Sequence, residues 1–223
     1  MFRNEKKYII NNIQLEELRM RIGAVCEPDP HADENGQYNI RSLYFDDYCD
    51  SGFVDNAIGI EPRSKWRLRI YNHNVCLIHL EHKIKERGKI YKESTEVSRD
   101  FCCQLIENPD SLNYPVKDRV LNRFLTGCFT RELRPKIIVE YDREPYVCPE
   151  GDVRITFDRN ICCSDQVDHF FEKNLFLCPV MSLNQQLLEV KYSEVLPSYI
   201  YHALNTGRLR QSTFSKYYLS RKL

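Results

Sequence analysis

The chain has 223 residues, 42% of them hydrophobic and 29% charged, which excludes a disordered or collagen-like protein and leaves enough chain to bury a substantial core. Lys plus Arg number 32, as do Asp plus Glu, so the formal charge is zero and a globally basic nucleic-acid binder is not indicated. The N-terminal MFRNEKKYII lacks an apolar run of signal-peptide length, and nothing later approaches the ~20 apolar residues of a spanning helix, so a cytoplasmic protein with no integral membrane segment is expected.

A short strand is expected from Arg3 to Ile10, followed by an amphipathic helix from Ile13 to Cys26 with apolar residues at 15, 18, 22 and 25 and Asn12 as its cap. Pro28-Asp29-Pro30 and Asn35-Gly36 mark a loop before a strand from Tyr38 to Phe45. Alternating segments then run from Arg63 to Tyr71, Leu77 to Lys85 and Ile90 to Val97, with a hairpin at Glu86-Arg87-Gly88. Helices are expected at Phe101 to Glu107 and Val116 to Phe129. Further strands follow at Lys136 to Pro145, Asp152 to Asn160 and Gln186 to Ser193, and a last helix at Ser198 to Asn205. Strands outnumber helices and their loops suit antiparallel neighbours, so a single α+β domain over residues 1–223, dominated by an antiparallel sheet, is the fold reading. The ten cysteines include the adjacent pairs Cys102-Cys103 and Cys162-Cys163 and no C-x-x-C, so they read as free, mostly buried thiols in a reducing compartment.

Both faces of these strands carry information. Arg63, Lys65, Arg67 and Arg69 share one face of their strand, opposite Trp66, Leu68 and Ile70. His79, Glu81, Lys83 and Lys85 do the same in the next strand, as do Arg154, Thr156 and Asp158, and later Glu189, Lys191 and Ser193. Arg143 shares a face with Tyr141. Residues i and i+2 sit about 7 Å apart, so adjacent unit charges repel by roughly 2 kcal/mol at an effective dielectric near 20. One solvated strand tolerates that. Several converging on one space need a polyanion or interleaved carboxylates. If the sheet closes on itself, the polar faces line a tunnel and amphipathic helices cover the apolar outside. Arginine forks in such a channel match phosphate, and Glu81 and Glu189 among cations suit a divalent metal that bridges phosphate oxygens.

The segments EKKY (Glu5–Tyr8), SLYFD (Ser42–Asp46), RSKWRLR (Arg63–Arg69), LEHKIK (Leu80–Lys85), EYDREPY (Glu140–Tyr146), RITFD (Arg154–Asp158), LLEVK (Leu187–Lys191) and FSKY (Phe214–Tyr217) resemble, in order, the VTC domain. That domain is the polyphosphate polymerase module of the CYTH-like, or triphosphate tunnel metalloenzyme, superfamily. The resemblance spans nearly the whole chain. It implies a closed, eight-stranded antiparallel β-tunnel with a basic interior and helices packed outside. It also implies transfer of the γ-phosphoryl of ATP to a growing polyphosphate chain, with Mn²⁺ or Mg²⁺ assisting. Lys7, Arg67, Arg69, Lys83, Arg143 and Lys216 fall on the family's phosphate-binding basic positions, Ser215 on its hydroxyl position and Glu189 on its metal-binding glutamate. Arg67, Arg69, Lys83, Arg143 and Lys216 are the expected catalytic set. Arg154 and Lys191 join the substrate-binding set because alternation turns them inward.

Tunnel hydrolases and cyclases begin with E-x-E-x-K, whereas this chain reads Arg3, Glu5, Lys7. The lost glutamate weakens a two-metal hydrolytic corner and fits the VTC branch, in a soluble, minimal version without the regulatory and membrane segments of the eukaryotic complex. ATP, phosphate and polyphosphate are the expected partners; nucleic acid is not, since stacking aromatics other than Tyr141 do not interleave with the basic face. A tunnel triphosphatase and a non-catalytic polyphosphate-binding module are the competing readings.

Overall fold

The computed structural model describes residues 3–112 and 116–223, apart from the side chain of Asp110. Its strands are β1 (Asn4–Asn11), β2 (Glu27–Pro28), β3 (Tyr38–Asp46), β4 (Arg63–Tyr71), β5 (Ile78–Glu86), β6 (Lys89–Val97), β7 (Arg134–Cys148), β8 (Val153–Ser164), β9 (Cys178–Pro179) and β10 (Gln185–Tyr192). Its helices are α1 (Asn12–Gly23), α2 (Ser51–Ile58), α3 (Arg99–Glu107), α4 (Arg119–Thr130), α5 (Ser198–Leu204) and α6 (Lys216–Ser220). The sheet runs in the order β1-β10-β8-β7-β3-β4-β5-β6, with antiparallel pairing throughout, and β2 and β9 add to β7 and β8.

Local chemistry sets the element ends. Asn11, not Asn12, caps α1, exchanging side-chain and backbone hydrogen bonds with Gln14 in a reciprocal box. The helix expected from Val116 begins at Arg119, because the Asp118 side chain accepts from the Leu121 amide at 2.7 Å. The β5–β6 hairpin turns at Arg87 and Gly88, both at positive φ. The short helices α2 and α6 were not expected.

The closed tunnel needs correction: the sheet is an open half-barrel. Its end strands, β1 and β6, meet at one rung, where Arg3 and Ile90 exchange two backbone hydrogen bonds of 2.9 and 3.0 Å. Continuing that antiparallel register brings Glu5 opposite Gly88, in the hairpin turn, so β1 has no further β6 to pair with. The C-terminal segment takes up part of the remaining edge: Tyr8 bridges Gln211, and the Ser212 amide donates to the Lys7 carbonyl at 2.8 Å.

Two apolar clusters cover the convex side. Leu43, Phe45, Trp66, Leu68, Ile70, Ile78 and Leu80 pack against α3 and α4 through Cys102, Leu105, Phe124 and Leu125. Val153, Ile155, Phe157, Leu188 and Val190 pack against α1 and α5 through Leu15, Leu18, Ile22, Ile200 and Leu204. A third cluster lies on the concave side, and it corrects the expectation of a polar interior with every helix outside. Ile40, Tyr44, Ile137, Val139, Tyr141 and Leu187 receive Phe214 and Tyr217 from the C-terminal segment. A register shift between β7 and β8 makes this possible. Asn160 adopts positive φ at the irregularity, so Ile161 and Cys163 re-phase into the inner cluster with Leu187, the direct partner of Asp158. All ten cysteines are free; Cys49, Cys76 and Cys178 are exposed rather than buried. Among the described residues no helix is long and apolar enough to cross a membrane.

Candidate functional site

The concave face holds a cavity of about 400 Å³ between the half-barrel and the C-terminal segment 211–217. Strand alternation delivers its lining. β1 contributes Glu5 and Lys7, β4 contributes Arg63, Lys65, Arg67 and Arg69, and β5 contributes Lys83 and Lys85. Tyr141 and Arg143 come from β7, Glu189 and Lys191 from β10, and Ser215, Lys216 and Tyr217 from the C-terminal segment. The cations that the sequence places on separate strands therefore face one space.

Interleaved carboxylates hold this crowd together. Glu81, on β5, is 1% exposed and accepts from Arg67 Nε at 2.7 Å and from Lys92 at 2.8 Å, with Arg69 at 3.6 Å. Burial works to raise its carboxyl, but Arg67, Arg69 and Lys92 outweigh that and keep it well below the ordinary carboxylate range. Arg69 is also fixed by Ser42 Oγ at 3.1 Å and the Tyr141 hydroxyl at 3.2 Å. Asp158, fully buried, takes a bidentate fork from Arg143 at 2.6 and 2.8 Å and a second cation, Lys216. The Tyr141 ring lies 4.4 Å from Lys216 Nζ and 5.3 Å from the Arg143 guanidinium carbon, adding its π face to the same pair.

At the β1–β10 corner, Lys7 Nζ stands 3.2 Å from Glu5 and 3.4 Å from Glu189 and donates to the Phe214 carbonyl at 3.0 Å. Lys83 approaches Glu5 at 2.9 Å, Lys191 approaches Glu189 at 3.1 Å, and Arg143 reaches Glu189 at 3.3 Å. Burial opposes the charge of Glu189, yet Lys191 and Lys7 hold its carboxyl well below its ordinary value. Burial pushes the Lys191 ammonium down to about 8 despite Glu189 and Glu5.

Lys7, Arg67, Arg69, Lys83, Arg143, Lys191, Ser215, Lys216 and Glu189 thus line one cavity. Arg154 does not. Its guanidinium is tied to Asp29 and the Tyr38 hydroxyl, each at 2.7 Å, so its correct facing along β8 ends in a loop contact instead of the cavity wall. Ser215 has a local role too, accepting from the Tyr218 amide at 3.3 Å as the cap of α6.

Sequence reasoning missed Glu5, Asp158 and Tyr44 as site residues. Strand alternation carries a signal for the first two, since Glu5 shares a face with Lys7 and Asp158 with Arg154. Tyr44, on β3, lines the cavity and accepts from Arg67 at 3.1 Å. No cluster of three or more His, Cys, Asp or Glu is arranged for a metal among the described residues. Glu5 and Glu189 nonetheless flank one cation already, the Lys7 ammonium. Two hard oxygen donors suit a divalent ion that takes its remaining ligands from phosphate and water.

A curled antiparallel sheet whose concave face carries arginines and lysines balanced by buried carboxylates defines a fold of the CYTH-like type. The chain belongs to the VTC domain family, whose pattern it matches over residues 2–223. By fold it is similar to the PH1819 protein of Pyrococcus horikoshii OT3, at 14% identity and a TM-score of 0.50, with 97% of each chain covered. It is similar also to a Bacillus halodurans protein provisionally named an adenylate cyclase, at 12% identity and a TM-score of 0.50, covering 91% of this chain and 87% of that one. No protein of curated function matches it by sequence. The family marks a polyphosphate-related enzyme of the tunnel type.

Proposed function

We propose that this chain, acting as a single unit over residues 1–223 in the cytoplasm, is an ATP-dependent polyphosphate polymerase. A terminal oxygen of the polyphosphate acceptor attacks the γ-phosphorus of ATP, the bond from that phosphorus to the β–γ bridging oxygen breaks, and ADP leaves. The acceptor is already anionic at neutral pH, so no strong base is required, and positioning and charge neutralisation supply the rate. Arg67, Arg69, Lys83 and Arg143 hold the donor triphosphate; Lys7, Lys191, Ser215 and Lys216 hold terminal and acceptor phosphates. Glu81 and Asp158 fix the guanidiniums in place before the anion arrives. Glu5 and Glu189 would hold Mn²⁺ or Mg²⁺, which supplies neutralisation of phosphate oxygens when bound.

The observation that carries this reading is the convergence of cations from five strands and the C-terminal segment on one cavity, beside the Glu5–Glu189 pair. That pair also favours a second reading, a tunnel triphosphatase, because it leaves two carboxylates at the corner despite Arg3. Incubation with ATP and a Mn²⁺ or Mg²⁺ series, followed by gel electrophoresis, separates the two. Long-chain polyphosphate supports the polymerase; free phosphate without chains supports the hydrolase; neither product leaves a binding module.

A further inference from the structure

Lys65 stands apart from the other cations of the cavity wall. Lys7, Lys83, Lys191, Arg67, Arg143 and Lys216 each contact a carboxylate. The polar contacts of Lys65 are neutral: Nζ donates to Asn56 Oδ1 at 2.7 Å and lies 2.9 Å from Ser215 Oγ and 5.1 Å from the centre of the Tyr217 ring. Its direct cross-strand partner is another lysine, Lys83, and like charges placed opposite each other are unfavourable. Arg63 flanks it along β4 and Lys7 faces it from β1. Asp46, on β3, is the carboxylate whose field reaches it, but Asp46 already accepts from the amides of Asp47, Gly52 and Phe53 and from the Tyr217 hydroxyl.

We infer that Lys65, with Ser215 and Asn56, forms an additional phosphate subsite, and that Lys65 takes up a proton as the anion arrives; this rests on the phosphate-binding reading of the cavity. A half-buried ammonium without a carboxylate partner is costly, and a lysine relieves that cost by releasing its proton. Burial, reinforced by Lys83, Lys7 and Arg63, accordingly holds Lys65 well below the ordinary lysine value. A phosphate oxygen entering beside it supplies the missing countercharge. Asn56 Oδ1 and Ser215 Oγ then orient an ammonium that points into the cavity. Lys65 stands two residues, about 7 Å, from Arg67 along β4, so it serves the phosphate beyond the one gripped there. The subsite therefore selects a chain of phosphates over a single phosphate group.

Calorimetric titration with inorganic tripolyphosphate, in two buffers of different ionisation enthalpy at the same pH, reads both affinity and protons taken up. The wild-type chain is expected to bind with net proton uptake. Lys65→Met is expected to bind roughly tenfold more weakly, the loss of one charge-assisted contact, with uptake reduced by up to one proton per anion. Lys65→Arg, always charged, keeps the affinity and shows the same reduced uptake. Comparison with the wild type isolates Lys65 from any uptake at Lys191. Thermal melts of both variants establish that they fold. Wild-type uptake and affinity retained in Lys65→Met would overturn the subsite while leaving the cavity reading intact. A wild-type chain that does not bind tripolyphosphate would overturn both.

Discussion

Replacing Asp158 with asparagine removes the carboxylate shared by Arg143 and Lys216 without altering side-chain size. The residue is fully buried, and both partners are 8% exposed at their side chains, so water screens the loss little. Breaking a buried ion pair by deleting one partner costs about 3–5 kcal/mol. Glu189 remains 3.3 Å from Arg143, which places the cost near the lower end, about 3 kcal/mol. For a chain of this length each kcal/mol moves the melting temperature by roughly 2–4 °C, so a fall of about 6–12 °C is expected. The vacated charge also makes the cavity a better anion host. Tripolyphosphate should therefore raise the melting temperature of Asp158→Asn more than that of the wild type, beyond what sulfate at matched ionic strength does. Thermal melts with and without the anion provide the test. A variant melting within about 2 °C of the wild type, or an equal anion-induced shift in both proteins, would refute the reasoning.

Other outcomes follow from the same geometry. Arg67→Ala should weaken tripolyphosphate binding by about tenfold or more, the scale of a lost charge-assisted contact, while Arg154→Ala, tied to Asp29 outside the cavity, should change it less than twofold (~0.4 kcal/mol); equal effects in a titration would contradict the placement of Arg154. Glu189→Gln and Glu5→Gln should each abolish metal-dependent turnover of ATP while binding of metal-free tripolyphosphate persists, and retention of full turnover would remove that residue from the metal site. Lys191 titrates at about 8, so tripolyphosphate affinity should decline as pH rises through about 8; Lys191→Arg should lose that step, and a step that persists would assign it elsewhere. Stability has its own pH signature. Burial raises Glu81, Glu189 and Asp158, but their cationic partners more than reverse this and depress each in the folded chain. Their contribution is present above the unfolded values near 4 and is lost as pH falls through the folded values, so the melting temperature should drop on acidification below about pH 5. A flat profile there would contradict the charge balance.

The alternating strands were legible because each has one apolar and one charged face: the sequence reading of β4, Arg63 to Tyr71, matches the structure residue for residue. Elements lacking that periodic signature were not. α2 follows Asp50 at positive φ and buries none of its residues fully, so no apolar stripe marks it. α6 is only five residues long and is defined by Tyr217 and Phe214 packing inside the curl, a contact between distant parts of the chain. Closure was overestimated because periodicity reports which way a side chain faces and not how far a sheet bends. The single Arg3–Ile90 rung follows from where the β5–β6 hairpin ends. The same limit explains Arg154, whose facing was right and whose reach was set by Asp29 in a loop.

The central claim is that the cations of the concave face form one phosphate-binding surface. A crystal structure with tripolyphosphate tests it most directly. The account predicts phosphate oxygens about 2.7–3.2 Å from the guanidiniums of Arg67 and Arg143 and the ammonium of Lys216. An anion found only on the convex surface, with the cavity holding water at saturating tripolyphosphate, would contradict it.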